Sequence, residues 1–251
     1  MKLEQMKIKE LLDTSHTIAE GLFEGHEYPW EALGGISAFI EKIGPSLPEE
    51  EYKKIGNNIW IHKSAHMAPT VAMGGPMIVG PRAQVRQGAF LRGSVILGEH
   101  VVIGNSCEIK NSVIFDEVQV PHFNYVGDSI LGYKAHMGAG AVTSNVKSDK
   151  TLVKVHAEDE DVATGLKKFG AVLGDHVEVG CNSVLNPGTV IGRNTNVYPL
   201  SSVRGCVPAD SIYKGQGNIA VKEAREVEEP EAEVETEKAP EPGKGGFKVV
   251  K

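Results

Sequence analysis

The sequence predicts an all-β protein, a parallel β-helix preceded by a helical segment. Two observations carry this prediction. An apolar residue recurs at every sixth position over two long stretches, and glycine is abundant (29 residues) while aromatic residues are scarce (6%). A chain rich in glycine, valine and isoleucine but poor in aromatic residues is typical of repetitive β structure and not of a helical bundle.

The six-residue repeat occurs in two runs. The first run contains Ile55, Ile61, Met67, Met73, Val79, Val85, Leu91, Leu97, Ile103, Ile109 and Phe115. The second run contains Leu173, Val179, Leu185, Ile191, Val197 and Val203. A period of six fits neither an amphipathic helix nor an isolated strand. It fits a prism with three flat faces, in which each turn of about eighteen residues directs one apolar side chain per face toward the axis. The pattern resembles the hexapeptide repeats of left-handed β-helices, an exception to the right-handed crossover rule.

The β-helix is predicted over residues 55–215, and residues 1–54 are predicted to be helical. Asp13 can cap one helix, Pro29 suits the first turn of a second, and residues 46–52 offer a third start. We expect this segment to form a cap over the first turn of the β-helix. An open end would otherwise expose unpaired backbone groups.

Three segments depart from the repeat. Residues 117–125 break its register, which predicts a bulge or a small loop. Residues 146–170 form a long polar excursion, either a functional loop or a tolerated surface insertion. Residues 222–251 contain nine Glu and few large apolar residues, so we expect a disordered acidic tail.

Composition narrows the class of protein. A net charge of −7 makes general binding to nucleic acid unexpected. No apolar run is long enough to span a bilayer, and the N-terminus lacks the apolar core of a signal peptide. The three cysteines form neither a disulfide framework nor a CxxC metal motif. We therefore expect a cytoplasmic protein with no membrane or nucleic-acid partner.

The stretch from Arg86 to Asn145 carries the most informative motifs. It contains RQG from Arg86, EIKNS from Glu108, PHFNYVGD from Pro121 and HMGAG from His136. Together these motifs resemble the acetyltransferase domain of bifunctional N-acetylglucosamine-1-phosphate uridyltransferases and their archaeal sugar-1-phosphate relatives. The resemblance extends over residues 55–210. It implies a homotrimer whose active sites lie between subunits.

The resemblance also implies a coenzyme A-dependent acyltransferase. Acetyl-CoA would be the donor, and the acceptor would be the amine of an amino-sugar phosphate or a nucleotide amino sugar, with no metal required. By the same resemblance His122 is the catalytic base. Histidine suits this role because its reference pKa lies near neutral pH. The matching donor-binding residues are Gly138, Ala139, Gly140 and Cys181, and the acceptor-binding residues are Arg86, Lys110, Tyr125, His136, Asn145, Lys150 and Lys154.

One further expectation and two alternative functions follow from the sequence. Residues 1–54 contain no glycine-rich phosphate loop, so we expect the chain not to make nucleotide sugars. A rigid β-helix could also be a non-catalytic sugar-nucleotide-binding or scaffold module. The same fold hosts zinc enzymes resembling γ-class carbonic anhydrases. Their histidines are spaced five apart, whereas His62 and His66 are four apart, so no metal site is predicted.

Overall fold

Short parallel strands stack on one another to form three flat faces around a common axis. The computed structural model describes residues 1–223, in which about nine turns of this solenoid follow a few helices near the N-terminus. Each strand pairs with the equivalent strand of the next turn, so the turns are spaced at about 4.8 Å along the axis. The prediction of an all-β, left-handed parallel β-helix of hexapeptide repeats is confirmed.

Strands β10 (Glu108–Ile114) and β12 (Tyr125–Leu131) pass through a corner and contribute to both face 1 and face 2. Face 1 also contains β4 (Ala72–Met73), β7 (Phe90–Leu91), β14 (Val142–Thr143), β19 (Val184–Leu185) and β22 (Ser202–Val203). Face 2 also contains β2 (Ile59–His62), β5 (Met77–Val79), β8 (Val95–Leu97), β17 (Ala171–Leu173), β20 (Thr189–Ile191) and β23 (Cys206–Val207). Face 3 contains β3 (His66–Met67), β6 (Gln84–Val85), β9 (Val102–Asn105), β11 (Gln119–His122), β13 (His136–Met137), β18 (Glu178–Val179), β21 (Asn196–Val197) and β24 (Ser211–Tyr213).

Antiparallel strands lie at the two ends of the solenoid. Strand β1 (Tyr52–Lys54) pairs with β2, and β25 (Ile219–Val221) pairs with β24. The helix start predicted at residues 46–52 is therefore wrong, because a single turn leads directly into β1. Ile55 was predicted to point into the prism, but it is 37% exposed. The chain reverses at this point, and the backbone N–H of Ile55 donates to the Ile59 carbonyl at 2.8 Å.

The register of the inward residues shifts by one position in the middle of the chain. Val79 pairs with Leu97, eighteen residues later. Leu97 pairs with Ile114 and Ile114 with Leu131, which are steps of 17 residues. Ile114 is therefore the inward residue, and the prediction for Phe115 is wrong by one position. Phe115 is still buried, because it follows the strand and packs outside the prism.

Each step of 17 residues is one residue shorter than a full turn of eighteen. The shortening is at a corner and not in the segment predicted to be a bulge or loop. Residues 117–125 contain β11, which pairs in register with β9, so that prediction is wrong. The shortened corners contain Asn111 and Asp128, whose φ angles are 45° and 51°. Asn and Asp adopt this left-handed region more easily than other non-glycine residues.

Face 2 is covered by the N-terminal segment. Its outward side chains are apolar and buried, and they are Trp60, Ile78, Ile96, Val113, Ile130, Val172 and Val190. The covering segment contains α1 (Ile8–Leu11), α2 (Ile36–Ile43) and the 3₁₀ helices Leu3–Met6, Thr14–His16, Glu20–Leu22, Pro29–Gly35 and Gly44–Ser46.

This segment lies along face 2 from the first turn onward and not only over the open end of the solenoid. The Leu11 carbonyl accepts from Asp175 N, and the His16 carbonyl accepts from Asp116 N, both at 3.0 Å. These partners lie on turns that are far from the first one. The expected cap is thus corrected to a lengthwise cover. The apolar side chains along the whole of face 2 are more stable when buried than when exposed to water, so the cover extends along the whole face.

The excursion contains a small hairpin of its own. Strands β15 (Lys154–His156) and β16 (Asp161–Ala163) pair antiparallel. Its two ends meet where the Asn145 carbonyl accepts from Phe169 N at 3.0 Å. Buried Val153, Val155 and Phe169 attach the excursion to the solenoid. The acidic tail predicted for residues 222–251 lies outside the described residues, except for Lys222 and Glu223.

Candidate active site

A network of polar side chains surrounds Asp128 at the corner between faces 1 and 2. Asp128 is 4% exposed, and both of its carboxylate oxygens accept from Lys110 Nζ at 2.9 Å. Asn111 Nδ2 donates to Oδ1 at 2.9 Å, and Asn145 Nδ2 donates to Oδ2 at 2.5 Å. A carboxylate so deeply buried needs such donors, because an unpaired buried charge is strongly unfavourable. The network fixes the orientation of Lys110 and Asn145.

The side chain of Tyr125 lies across face 1 toward this network. Its hydroxyl accepts from Asn145 Nδ2 at 3.1 Å, and burial raises the pKa of the phenol. Gly127 leaves the space that the ring occupies, since an added Cβ there would lie 2.4 Å from the Tyr125 oxygen. The Y-V-G-D sequence thus builds a flat aromatic floor that runs from one edge of face 1 to the other.

Arg92, and not the predicted Arg86, lies at the same corner of the solenoid as Lys110. The two residues are eighteen positions apart, one turn, and Arg92 N donates to the Ile109 carbonyl at 2.9 Å. The guanidinium of Arg92 contacts Glu108 at 2.7 Å. The RQG motif predicted Arg86 at this site instead. The eighteen-residue period, counted back from Lys110, is the signal that identifies Arg92.

Arg86 lies at a different corner, between faces 3 and 1. It follows β6, and its backbone N–H donates to the Ile103 carbonyl at 2.8 Å. The structure therefore does not bring Arg86 and Lys110 together within one chain. Arg86 shares its corner with His122, which lies two turns further along the axis.

His122 ends β11 at the corner between faces 3 and 1, with an exposed side chain. Its backbone is held on both sides. His122 N donates to Asn124 Oδ1 at 3.0 Å, and the His122 carbonyl accepts from Gly140 N at 2.9 Å. Asn124 is 2% exposed, and its amide also donates to the Gly138 and Ala141 carbonyls. Asn124 belongs to the PHFNYVGD motif but was not predicted as a site residue, and it positions the His122 backbone.

The predicted donor residues are adjacent on two neighbouring turns. A Cβ on Gly138 would lie 2.6 Å from Cys181 N, and one on Gly140 would lie 2.2 Å from the side-chain oxygen of Asn182. Close packing against the next turn therefore requires glycine at both positions, independently of any ligand. Ala139 lies between them, and Cys181 is an exposed free cysteine directly above.

His136 lies in the middle of face 3, away from the Asp128 network. Its Nδ1 is 2.8 Å from Glu178 Oε2, and this hydrogen bond raises the pKa of the imidazole. His136, Gly138 and Cys181 line a groove of about 1210 Å³ along face 3. The histidine predicted to bind the acceptor therefore groups with the predicted donor residues.

The two predicted lysines of the excursion are separated. Lys154 lies on β15 and lines a groove of about 270 Å³ beneath the excursion. Lys150 lies in a turn, with φ 59° and its N–H donating to the Lys147 carbonyl at 3.1 Å. Lys150 does not line that groove.

Residues 1–223 contain neither a cluster of metal-binding side chains nor a helix that could span a membrane. No group of three or more His, Cys, Asp or Glu side chains converges as a metal site would require. No helix in that range combines the length and the apolar character needed to cross a membrane.

The three-faced solenoid and its corner motifs define a hexapeptide-repeat protein. Residues 73–197 match the family model described as the GMPPB C-terminal domain. The chain belongs to the hexapeptide-repeat family, and it is similar to a part of larger proteins that are named as bifunctional.

Two relatives illustrate the match. Bifunctional protein GlmU of Methanococcus vannielii is 31% identical over 220 residues, which is 86% of this chain and 53% of that protein. A bifunctional sugar-1-phosphate nucleotidylyltransferase/acetyltransferase of Sulfurisphaera tokodaii is 36% identical over 126 residues, which is 50% of this chain and 31% of that protein. The chain thus spans about half or less of the length of these curated relatives.

Among solved structures, a hexapeptide transferase family protein from Anaplasma phagocytophilum is 16% identical to this chain, with a TM-score of 0.43. The match covers 66% of this chain and 80% of that protein.

Proposed function

We propose that this protein transfers an acetyl group from acetyl-CoA to the amine of an amino-sugar phosphate or a nucleotide amino sugar. In this reaction the amine nitrogen attacks the thioester carbonyl carbon and the carbon–sulfur bond breaks. His122 takes the proton from the attacking amine and passes it to the departing sulfur, so that coenzyme A leaves as the thiol. The names of both relatives describe bifunctional proteins, and one name includes acetyltransferase activity.

The observation that carries this proposal is the arrangement of side chains along face 1. His122 stands exposed at one edge of the face, and the Tyr125 ring lies across it. Lys110 and Asn145 are held by Asp128 at the other edge. A base at one end and fixed donors at the other are what orientation of a polar acceptor requires. Lys110, Asn145 and the Tyr125 hydroxyl would hold the sugar while His122 faces its amine.

The donor would lie in the groove along face 3. Gly138, Ala139 and Gly140 lie next to His122, to whose carbonyl Gly140 N donates. A thioester bound over these glycines would have its carbonyl carbon close to the edge of face 1. Cys181 and His136 line the same groove and would contact the arm of coenzyme A. The position of the predicted donor and acceptor residues on adjacent faces supports a reaction at the corner of His122.

We further propose that the active unit is a homotrimer in which face 1 contacts a neighbouring subunit. Exposed apolar side chains lie on this face at Ala72, Phe90 and Val184, with the half-buried Val142 in the same column, and such residues suit contact with another subunit. The column also contains Glu108 and Ser202. A neighbour seated there would place Arg86 of a second chain near the acceptor, which would account for its separation from Lys110 within one chain. The trimer would thus complete the acceptor site.

The test is release of free thiol from acetyl-CoA in the presence of amino-sugar phosphates and nucleotide amino sugars. We expect acceptor-dependent release by the wild type and at least a 100-fold lower kcat for His122→Ala, since general bases contribute about 10²–10⁴-fold. His66→Ala is the matched control, because His66 is an exposed histidine of face 3 on an earlier turn.

Two outcomes would contradict the proposal. If no acceptor on the panel stimulates thiol release by folded trimer, the protein is not an acyltransferase of this substrate class. If His122→Ala retains the turnover of the His66→Ala control, another group removes the proton. Circular dichroism and light scattering of each variant establish that fold and assembly are intact.

A further inference from the structure

A column of residues with left-handed backbone runs along the corner between faces 3 and 1. Its members, in successive turns, are Gly88, Ser106, Phe123, Gly140, Asn182 and Leu200, with φ angles from 52° to 74°. Hydrogen bonds between turns keep these positions in register. Phe123 N donates to the Asn105 carbonyl at 3.0 Å, and Gly140 N donates to the His122 carbonyl at 2.9 Å. Each member of the column therefore occupies the same place in its turn.

Phe123 is the aromatic residue of this column and directly follows His122. Glycine and asparagine adopt the left-handed region readily, whereas a large apolar residue does so at a cost in free energy. The Phe123 side chain is 64% exposed, so burial offsets little of that cost. The stability of the chain therefore does not explain a phenylalanine at this position. Backbone conformations of this kind persist where function requires the side chain.

The turns that follow Phe123 leave room on one side of it. Gly140 is the next member of the column, and it has no side chain to occupy the corner. Asn182 comes one turn later, and its side-chain oxygen would be 2.2 Å from a Cβ added to Gly140. The space at Gly140 thus has Phe123 on the turn before it and Asn182 on the turn after it. Two turns of the solenoid span only about 9.6 Å.

We propose that Phe123 determines the length of the acyl group and restricts the donor to acetyl-CoA. The inference rests on the proposed function, in which the thioester lies over Gly138 to Gly140 and its carbonyl carbon reaches the corner of His122. The atoms beyond that carbon then lie beside the residue that follows His122. A methyl group packs against the Phe123 ring, whereas a longer chain needs the volume that the ring occupies.

The rate of free thiol release with acetyl-CoA, propionyl-CoA and butyryl-CoA tests this proposal. We expect the wild type to show at least a 100-fold higher kcat/KM for acetyl-CoA than for butyryl-CoA, since a pocket discriminates about 10–200-fold per methylene. Phe123→Gly should reduce this ratio below about tenfold by accepting butyryl-CoA. Phe123→Tyr keeps the ring and should keep the preference. A preference that persists in Phe123→Gly, or a wild type without one, overturns the proposal.

Leu200→Gly is the matched control. Leu200 belongs to the same column, has a φ of 60° and is 79% exposed, but it lies three turns further along the axis. We expect an unchanged acyl preference in this variant. Both glycine variants should unfold at a temperature no lower than that of the wild type, because glycine adopts the left-handed region without strain. If Phe123→Gly loses the assembly of the wild type in light scattering, the ring is a subunit contact and the proposal is overturned.

Binding separates this proposal from the proposed function. If no acceptor is acylated, the proposed function fails, and calorimetric Kd values for acetyl-CoA and butyryl-CoA replace the rates. The proposal then requires the wild type to bind butyryl-CoA at least tenfold more weakly than acetyl-CoA, and Phe123→Gly to remove that difference. Equal Kd values in the wild type, a difference that Phe123→Gly retains, or no binding of either thioester overturns it.

Discussion

The lack of a side chain at Gly127 allows the floor of the proposed acceptor site to form. Gly127 lies under the Tyr125 ring, and an added Cβ would be 2.7 Å from ring carbon Cζ and 2.9 Å from Asn145 Nδ2. Because Tyr125 and Asn145 hydrogen-bond to each other, both would have to move together. Gly127 does not have a positive φ, so an unusual backbone conformation does not explain the glycine. The close approach of the Tyr125 ring does.

We predict that Gly127→Ala raises the KM for the acceptor about tenfold or more by displacing Tyr125. Steady-state kinetics of acetyl transfer measure this, with Tyr125→Phe as the companion variant that keeps the ring and removes only the hydroxyl. Overpacking of this kind costs about 1–3 kcal/mol of stability, so thermal unfolding should show a modest decrease. An unchanged KM in Gly127→Ala would show that the acceptor does not use this floor.

Asp116 provides a test of stability against pH. Burial raises the pKa of its carboxyl from 3.8 to about 6. Between these values the folded chain binds a proton that the unfolded chain has lost, so the free energy of unfolding falls as pH rises through this window. Asparagine keeps the side-chain oxygen that accepts from Glu99 N at 2.7 Å.

We therefore predict that Asp116→Asn is more stable than the wild type at pH 8 by about 1 kcal/mol, with the difference vanishing near pH 4. Full linkage would give roughly 3 kcal/mol, which partial exposure of the carboxyl reduces. Denaturant unfolding across this pH range measures it. Asp149→Asn is the control of opposite sign, because hydrogen bonds from Thr151 lower the pKa of Asp149. A pH-independent difference for Asp116→Asn would contradict the account.

At the scale of elements, stacking of neighbouring strands sets the position of His122. Strand β9 lies beneath β11, and Gly104 of β9 faces Pro121, the residue before His122. A Cβ on Gly104 would lie 1.4 Å from the Pro121 carbonyl oxygen, which is backbone and cannot rotate away. The strands must separate to accept any side chain at this position.

Gly104→Ala is expected to lower the free energy of unfolding by about 3 kcal/mol, the upper end for overpacking. It should also reduce turnover, because β11 carries His122. Chemical denaturation and kinetics test both effects. Gly34→Ala is the matched control, since an added Cβ there meets no atom within 4 Å. Equal stability of the two variants would mean that the turns are not packed as closely as described.

At the scale of the whole molecule, the three faces have different covers. Face 2 is buried under the chain's own N-terminal segment, and face 3 presents polar residues such as Gln119 and Glu178. Face 1 presents Phe90, which is 41% exposed, among other apolar residues. An aromatic side chain left in water on a flat face suits contact with another subunit.

We predict that Phe90→Glu converts the proposed trimer to monomers, because a charge buried in an apolar interface is unfavourable. Multi-angle light scattering measures the mass directly. Leu152→Glu is the matched control, since Leu152 is an exposed apolar residue of the excursion and not of face 1. A wild type that is monomeric at micromolar concentration, or a trimer unaffected by Phe90→Glu, would rule out this face as the interface.

Periodicity in the sequence predicted the architecture because each inward position needs an apolar residue, and the spacing of six repeats locally. The prediction of inward residues failed where a turn is one residue shorter than eighteen. The shift at Asn111 moved the inward position from Phe115 to Ile114, and Phe115 is apolar because the N-terminal segment covers it. Apolar character alone does not distinguish the inside of a prism from a covered outside surface.

The sequence by itself determined the fold, the family and most of the motif residues, because these depend on residue type and short spacing. The tertiary structure decided which of them meet. It placed Arg92 and not Arg86 beside Lys110, brought Lys154 and Arg204, which are 50 positions apart, into one groove, and separated His136 from the Asp128 network. Such neighbours depend on how many residues each turn contains and on which side chains pair, and these are settled only when the turns are stacked.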